Sequence, residues 1–304
     1  MTEQFLAMTG RNLKTYFRDR GAVFFSLLSM LIVICLMVFF LGDMNIENTV
    51  QLFGSFPGRD AAADKKNAEL LVLAWTCAGI LSINAVTVTL SCYSVMIKDR
   101  VNGKLNAIYT SPVRRGIITA GYIAAAWIAS VIVCTVTLAI TEIYSVSQGM
   151  EFYSAADHVW LMGMIAVNSF CYAAIMYFVA MLAKTESAWS GLGTVIGTLV
   201  GFLGGIYIPI GALSEGIGTA MKCTPIIYGT AMFRNVMTKQ MMDVLFSGMP
   251  DELTDKYRCI MGIDLDVSGH LMSMREEWIV LLFCGMIFLA LGIVLLKHGR
   301  RTDR

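Results

Sequence analysis

Charge is what this chain has least of. Asp, Glu, Lys and Arg make up only 15% of its 304 residues. Six long stretches have none: Gly21–Gly42, Leu70–Ile97, Gly116–Thr141, Val159–Ala183, Ser187–Ser214 and Trp278–Leu296. Each is long enough to cross a bilayer, since ~20 apolar residues span ~30 Å of hydrocarbon. The uncharged cores argue against a secondary transporter or proton pump, which keeps ionisable groups inside its spans for the coupling ion. His158, His270 and His298 all lie outside the stretches. There is no H-E-x-x-H, no G-x-S-x-G and no intramembrane carboxylate pair, so no catalytic residue is assigned. The G-x-x-x-x-G-K-[ST] phosphate loop is missing too, so any ATP-driven work needs a second polypeptide. The eight cysteines form no CxxC and no Cys/His cluster, which leaves no metal site. Cys223 and Cys259 fall in one external segment, and spacing does not decide whether they pair. Asp264-x-Asp266-x-Ser268-Gly269 opens like a calcium loop, but its twelfth position is Arg275 rather than Glu. Turn and capping roles fit those residues better.

What is present is apolar. Hydrophobic residues are 57% of the chain, too many for a soluble domain of this length. The expectation is an all-α polytopic membrane protein with six spans, a single domain over residues 1–304. The apolar run after the N-terminal arm is too long for a signal peptide and reads as an uncleaved first span. Six crossings put both ends on one face. That face carries Arg11, Lys14, Arg18, Arg20, Lys98, Arg100, Lys104, Arg114, Arg115, Lys184, Lys297, Arg300, Arg301 and Arg304, which is 14 of the 23 basic residues. It carries Glu3, Asp19, Asp99, Glu186 and Asp303, only 5 of the 22 acidic ones. Basic loops stay inside, so a multi-pass protein of the cell membrane with both termini cytoplasmic is expected.

Residues 1–20 read as an interfacial helix, with Leu6, Leu13, Tyr16 and Phe17 near one face and Arg11, Lys14 and Arg18 on others. Asp43–Glu69 reads as a loop with little regular structure. Ser154 with Asp157, and Ser273 with Glu276, are spaced to cap the fourth and sixth spans. In the fifth, Gly193, Gly197, Gly201 and Gly205 recur every four residues, a strip on which another helix or a dimer mate can pack closely. Beyond it, Gly204–Pro225 reads as a broken, re-entrant element. The external segment 215–277 then holds an amphipathic helix, Tyr228–Phe246, with Arg234 off its apolar face, and an acidic loop Ser247–Met272. Asn84, Asn168, Thr87, Thr89 and Thr135 are polar residues within spans, expected to bond neighbouring helices.

The longest basic loop, 98–115, holds Asp99-Arg100, Gly103, a short apolar patch of Leu105, Ile108 and Tyr109, and then Ser111-Pro112. A short helix with such a patch suits docking into a partner's groove. This loop resembles the coupling region of ABC transporter permeases of the type-2 export family. There an acidic-Arg pair, Gly-x-Leu and Ser-Pro join the second and third spans. Here these are Asp99, Arg100, Gly103, Leu105, Ser111 and Pro112. The basic and aromatic helix Arg11–Arg20, and the Gly-rich fifth span running into Tyr207, Pro209, Pro225 and Tyr228, follow the same pattern. Asp99 stands where Glu is commoner in that family. The resemblance implies a half-transporter that pairs with a second permease chain, as homodimer or heterodimer, in membrane lipid. Two copies of a separate ATPase bind it and carry the ATP and magnesium; this chain binds no cofactor and no nucleic acid. Residues 98–115 would couple to the ATPase, Tyr207, Pro209 and Pro225 would form an outer gate, and a lipophilic or amphipathic substrate such as a drug, antibiotic peptide or lipid-linked molecule would be exported. The residues alone leave another class open: a non-transporting sensor or assembly scaffold with an external receptor segment.

Overall fold

The computed structural model describes residues 1–36, 42–53, 59–110 and 113–302. Its helices are α1 (Thr2–Arg18), α2 (Arg20–Leu36), α3 (Gly42–Phe53), α4 (Ala61–Val101), α5 (Lys104–Tyr109), α6 (Arg115–Ser147), α7 (Ala155–Leu182), α8 (Glu186–Leu203), α9 (Glu215–Lys222), α10 (Pro225–Met237), α11 (Lys239–Leu245) and α12 (Asp251–Met261). A two-strand hairpin, β1 (Asp266–Val267) and β2 (His270–Leu271), precedes α13 (Met274–Thr302). The fold is all-α apart from that hairpin. Among the described residues, α4, α6, α7 and α13 are long and apolar enough to cross a membrane. The described part of α2 is 17 residues, with 37–41 outside the described residues, and α8 is 18.

α4 is the axis. Its 41 residues extend about 60 Å, twice the hydrocarbon thickness. Its most apolar stretch is 94% buried, against 17% for α13 at the periphery. α6, α7, α2, α3 and α10 all pack on it. Its start is fixed by Asp60, whose carboxylate accepts the Ala62 N–H at 2.9 Å. α7 opens on Ser154, which accepts the Asp157 N–H at 3.1 Å. α13 opens on the reciprocal Ser273–Glu276 box, Ser273 N–H donating to Glu276 at 2.7 Å.

Several expectations are corrected. Asp43–Glu69 is mostly helical: α3 covers its first part and α4 begins at Ala61. Asn45 and Thr49 are buried there, with the Thr49 hydroxyl 3.0 Å from that of Tyr257, so tertiary packing supplies what the local sequence does not. The single amphipathic helix of the external segment is two, α10 and α11, meeting at Thr238. The acidic loop contains α12 and the hairpin. Asp264 is engaged by Arg258 at 2.6 and 2.8 Å and by Asn235 at 3.0 Å, and Asp266 accepts the Gly269 N–H, so both serve the turn. Cys223 and Cys259 are free thiols. Of the polar residues in the uncharged stretches, Asn84 bonds across to Thr137 at 2.9 Å and Thr135 reaches Met162 Sδ of α7 at 3.8 Å besides a carbonyl of its own helix, whereas Thr87 and Thr89 bond carbonyls of their own helix. Asn168 has no hydrogen-bond partner for its side chain.

Candidate functional site

At the basic end of the bundle, α1 and α6 converge on Asp99. This residue lies in the last turn of α4 and is 4% exposed. Its two oxygens accept a fork from Arg11 of α1, the Nη2 contact being 2.9 Å, and the Tyr122 hydroxyl of α6 donates to it at 2.6 Å. Hydrogen bonding to Asp99 holds the Arg11 guanidinium firmly charged, above the ordinary arginine range. Consecutive residues on a helix point about 100° apart, so Arg100 reaches a different neighbour. It donates to Ala180 O at 3.1 Å and Ala183 O at 2.7 Å. These are carbonyls at the C-terminus of α7, where partners are missing and the dipole favours a cation. One dipeptide thus ties α4 to α1, α6 and α7. Lys98 adds an exposed pair with Asp19 at 3.3 Å, of little energetic weight.

α1 is therefore tied to the bundle. It packs along α6, with Thr9, Asn12 and Tyr16 buried, while Leu6 and Phe17 of the expected apolar stripe stay exposed. The sequence read Arg11 as part of a basic interfacial helix with no named partner, and did not single out Tyr122. A signal for Arg11 was present: it neighbours Asn12 on the helix flank that carries Thr9 and Tyr16.

After α4, Gly103 adopts φ +71°, a left-handed conformation that lets the chain turn directly into α5. Leu105 is 6% exposed and Ile108 is packed against the core. The apolar patch thus faces the chain's own bundle, and the outward residues are Val101, Lys104, Asn106 and Ala107. The backbone of Tyr109 closes α5; its side chain, and Ser111 and Pro112, lie outside the described residues.

At the opposite end, α8 stops at Leu203 and the chain turns at Gly204-Gly205, with Gly205 at φ +62°. The four glycines are consequently not one continuous strip. Gly193 faces Leu90 of α4 at ordinary contact distance, Gly197 meets nothing within 4 Å, and Gly201 lies under the Tyr207 ring. Gly205 is off the helix. Ile206 presses into a notch on α4 at Gly79, where a Cβ would come within 2.6 Å of it. Tyr207 also stacks on Phe202, centroids 4.9 Å apart, and Pro209 is buried. Pro225 starts α10, where its missing N–H is harmless.

The turn is held by a residue the sequence placed on the wrong face. Arg234 of α10 is fully buried. It donates to Gly205 O at 2.7 Å, Met261 O at 3.2 Å and Gly262 O at 3.4 Å, with its guanidinium 3.9 Å from the Trp75 ring centroid. Trp75 Nε1 donates to the same Met261 carbonyl at 2.7 Å. A lone arginine inside the apolar run 226–237 was the available signal.

Between the two ends, α4 and α8 border a groove of about 790 Å³. Ser91, Ser94, Ser187, Ser190 and Thr194 supply hydroxyls, and Lys98 and Glu186 stand at its basic end. Among the described residues no cluster of His, Cys, Asp and Glu has metal-binding geometry.

A family model described as ABC-2 type transporter matches residues 3–238. The chain belongs to the ABC-2 type transporter family. A search among curated proteins found no match. As an ABC-2 membrane domain the chain is a transport component and not a catalytic one. The matched region contains the Asp99–Arg100 node, the α8 turn and Arg234, and ends just past α10.

Within this permease the glycines make separable predictions. Gly201→Leu drives a side chain into the Tyr207 ring, and overpacking of this kind costs about 1–3 kcal/mol. A lowered melting temperature of the detergent-purified chain is expected. At Gly197 an added Cβ has open space and Val195 is exposed, so Gly197→Leu and Val195→Leu are expected to leave it unchanged. Equal melting of all three would mean that Tyr207 does not sit on Gly201.

Proposed function

We propose that the chain is the membrane subunit of an ATP-driven exporter with six spans, α2 and α8 contributing the first and fifth. Two copies of a separate ATPase, holding ATP and magnesium, act on a pair of permease chains in the cell membrane. The observation that carries this reading is the Asp99–Arg100 node. A push on α5 passes through Leu105 and Gly103 into α4, and through Arg11 and Arg100 into α1 and α7. A rigid lever of this kind suits the transmission of force better than a receptor surface. The hydroxyl-lined groove beside α8 supports an amphipathic substrate, and the turn Gly204–Pro225, re-entrant from the outer side, serves as the gate.

The buried position of Leu105 moves the docking face. The ATPase contact is assigned to the outward side of the turn, Val101, Asn106 and Ala107, in place of the apolar patch. Ala107→Arg is expected to weaken copurification of the ATPase without changing the melting temperature. Leu105→Asp buries an uncompensated charge and is expected to destabilise the permease itself by several kcal/mol. The reverse pattern would restore the apolar patch as the docking surface.

Both termini are assigned to the cytoplasm from the sorted charges. In a background lacking the eight native cysteines, single cysteines at Asn102 and Thr254 are expected to label from opposite sides of intact cells. Labelling of both from outside would remove the six-span topology. The central test is copurification with an ABC ATPase followed by substrate-stimulated ATP hydrolysis; a chain that binds no ATPase would favour the scaffold reading.

A further inference from the structure

A second groove lies on the opposite flank of the bundle. α6 and α13 each pack on α7, and between them runs a furrow of about 730 Å³. Its lining is almost wholly apolar, with Gly116, Ala120 and Ala124 forming a low wall along α6 and Leu289 and Leu296 a high one along α13. Phe5 of α1 also lines it. The lined part of α6, from Gly116 to Trp127, rises about 17 Å. That is close to the depth of one leaflet, about half of the ~30 Å hydrocarbon core. Along α6 the furrow is thus about one leaflet deep.

The end at Gly116 and Leu296 is basic. Arg114 lies two residues before Gly116, and Lys297 directly follows Leu296; both side chains are exposed. α6 begins at this end and α13 finishes there, so the two cations flank the same mouth of the furrow. A furrow one leaflet deep with cations at the headgroup level matches a lipid whose head is anionic. A second copy of the chain fits less well. Membrane copies related by an axis along the bilayer normal would bring these basic mouths together, and helix association in lipid has no hydrophobic drive to offset the repulsion.

We propose that this furrow seats an acyl chain of an anionic phospholipid, with Arg114 and Lys297 holding its headgroup. The site is distinct from the groove beside α8 and does not depend on the identity of the transported substrate. Because Phe5 forms part of it, bound lipid bears on the same helix that Arg11 ties to Asp99.

The test is native mass spectrometry of the full chain in detergent, titrated separately with phosphatidylglycerol and phosphatidylcholine. Retention of phosphatidylglycerol is expected to exceed that of phosphatidylcholine on the order of tenfold. The double variant Arg114→Gln/Lys297→Gln should retain both lipids equally. Ala124→Trp, which fills the furrow, should lower retention of both, while Val136→Trp on the exposed face of α6 should not. Ala120→Leu repeats the filling with a smaller side chain if tryptophan disturbs packing. Equal retention of the two lipids by the wild-type chain would overturn the proposal. So would undiminished phosphatidylglycerol retention in both filled variants. A disulfide-linked dimer of Ala120→Cys formed in membranes would make the furrow a protein interface instead.

Discussion

Arg11→Met is expected to destabilise the permease by about 3 kcal/mol, the low end of the cost of stranding a buried charge. The asymmetry of the pair makes the prediction sharp. Asp99 has a side chain only 6% exposed, whereas that of Arg11 is 35% exposed. Removing Arg11 leaves a carboxylate inside the bundle with the Tyr122 hydroxyl as its remaining hydrogen-bond donor. Removing the charge on Asp99 leaves a guanidinium that can swing toward water. Asp99→Asn is therefore expected to be the milder change, on the order of 1–2 kcal/mol, since the amide keeps an accepting oxygen and strands no charge inside the bundle. Thermal melting of the purified chain reads the stability. Tryptic cleavage at Lys14 and Arg18 reads release of α1, and should quicken in both variants. A double-mutant cycle should recover a coupling of about 2 kcal/mol between the two positions. If Asp99→Asn is the more damaging, the carboxylate has another partner that matters more than Arg11. In the proposed transporter, loosening α1 should also lower ATP-driven transport more than ATPase copurification, because α5 stays in place while the lever above it slackens.

Arg234→Leu is expected to be the most damaging single change at the other end. The guanidinium satisfies the carbonyls of Gly205 and Gly262 and shares that of Met261 with Trp75. Leucine approximates the aliphatic stem but leaves two buried carbonyls without this donor, at about 1–3 kcal/mol each. It also forfeits the stacking on Trp75, worth about 1–2 kcal/mol in a desolvated site. A loss of roughly 4–5 kcal/mol follows. Arg234→Lys should be only partly better, since one ammonium cannot span carbonyls on both the α8 turn and the end of α12. The expected readouts are a markedly lower melting temperature and faster tryptic cleavage at Lys222 and Arg258. Lys256→Leu, an exposed position on α12, is the control and should change neither. Near-wild-type melting of Arg234→Leu would mean that the turn is held by Ile206 in the Gly79 notch alone.

The helical, membrane-embedded character of the chain was legible because it is written in local terms. Uncharged runs of about 20 residues, cap residues at Ser154 and Ser273, and the break at Gly204 are each written in the local sequence. The Asp99–Arg100 dipeptide was singled out by its resemblance to a family motif, although its contacts were not legible. Misreadings share one cause: a helical wheel shows which face differs, not which face is covered. Arg11 and Arg234 look solvent-facing on a wheel, yet both are turned inward, because a fork of donors can be satisfied by a carboxylate or by carbonyls from distant segments. Leu105 looks like a docking knob and is a core residue. The glycines look like a strip, but left-handed backbone at Gly205 takes the last one off the helix.

Local sequence by itself determined the class of molecule, an apolar helical membrane chain, since hydrophobicity needs no neighbours to be read. Only the tertiary structure decided how the ends are wired: α1 to α4 through Arg11 and Asp99, α7 to α4 through Arg100, and the α8 turn to the external segment through Arg234. Each of the last two links spans distant parts of the chain to reach backbone carbonyls, which every residue has. A donor's side chain can be seen in the sequence, but a carbonyl acceptor carries no residue identity until folding selects it.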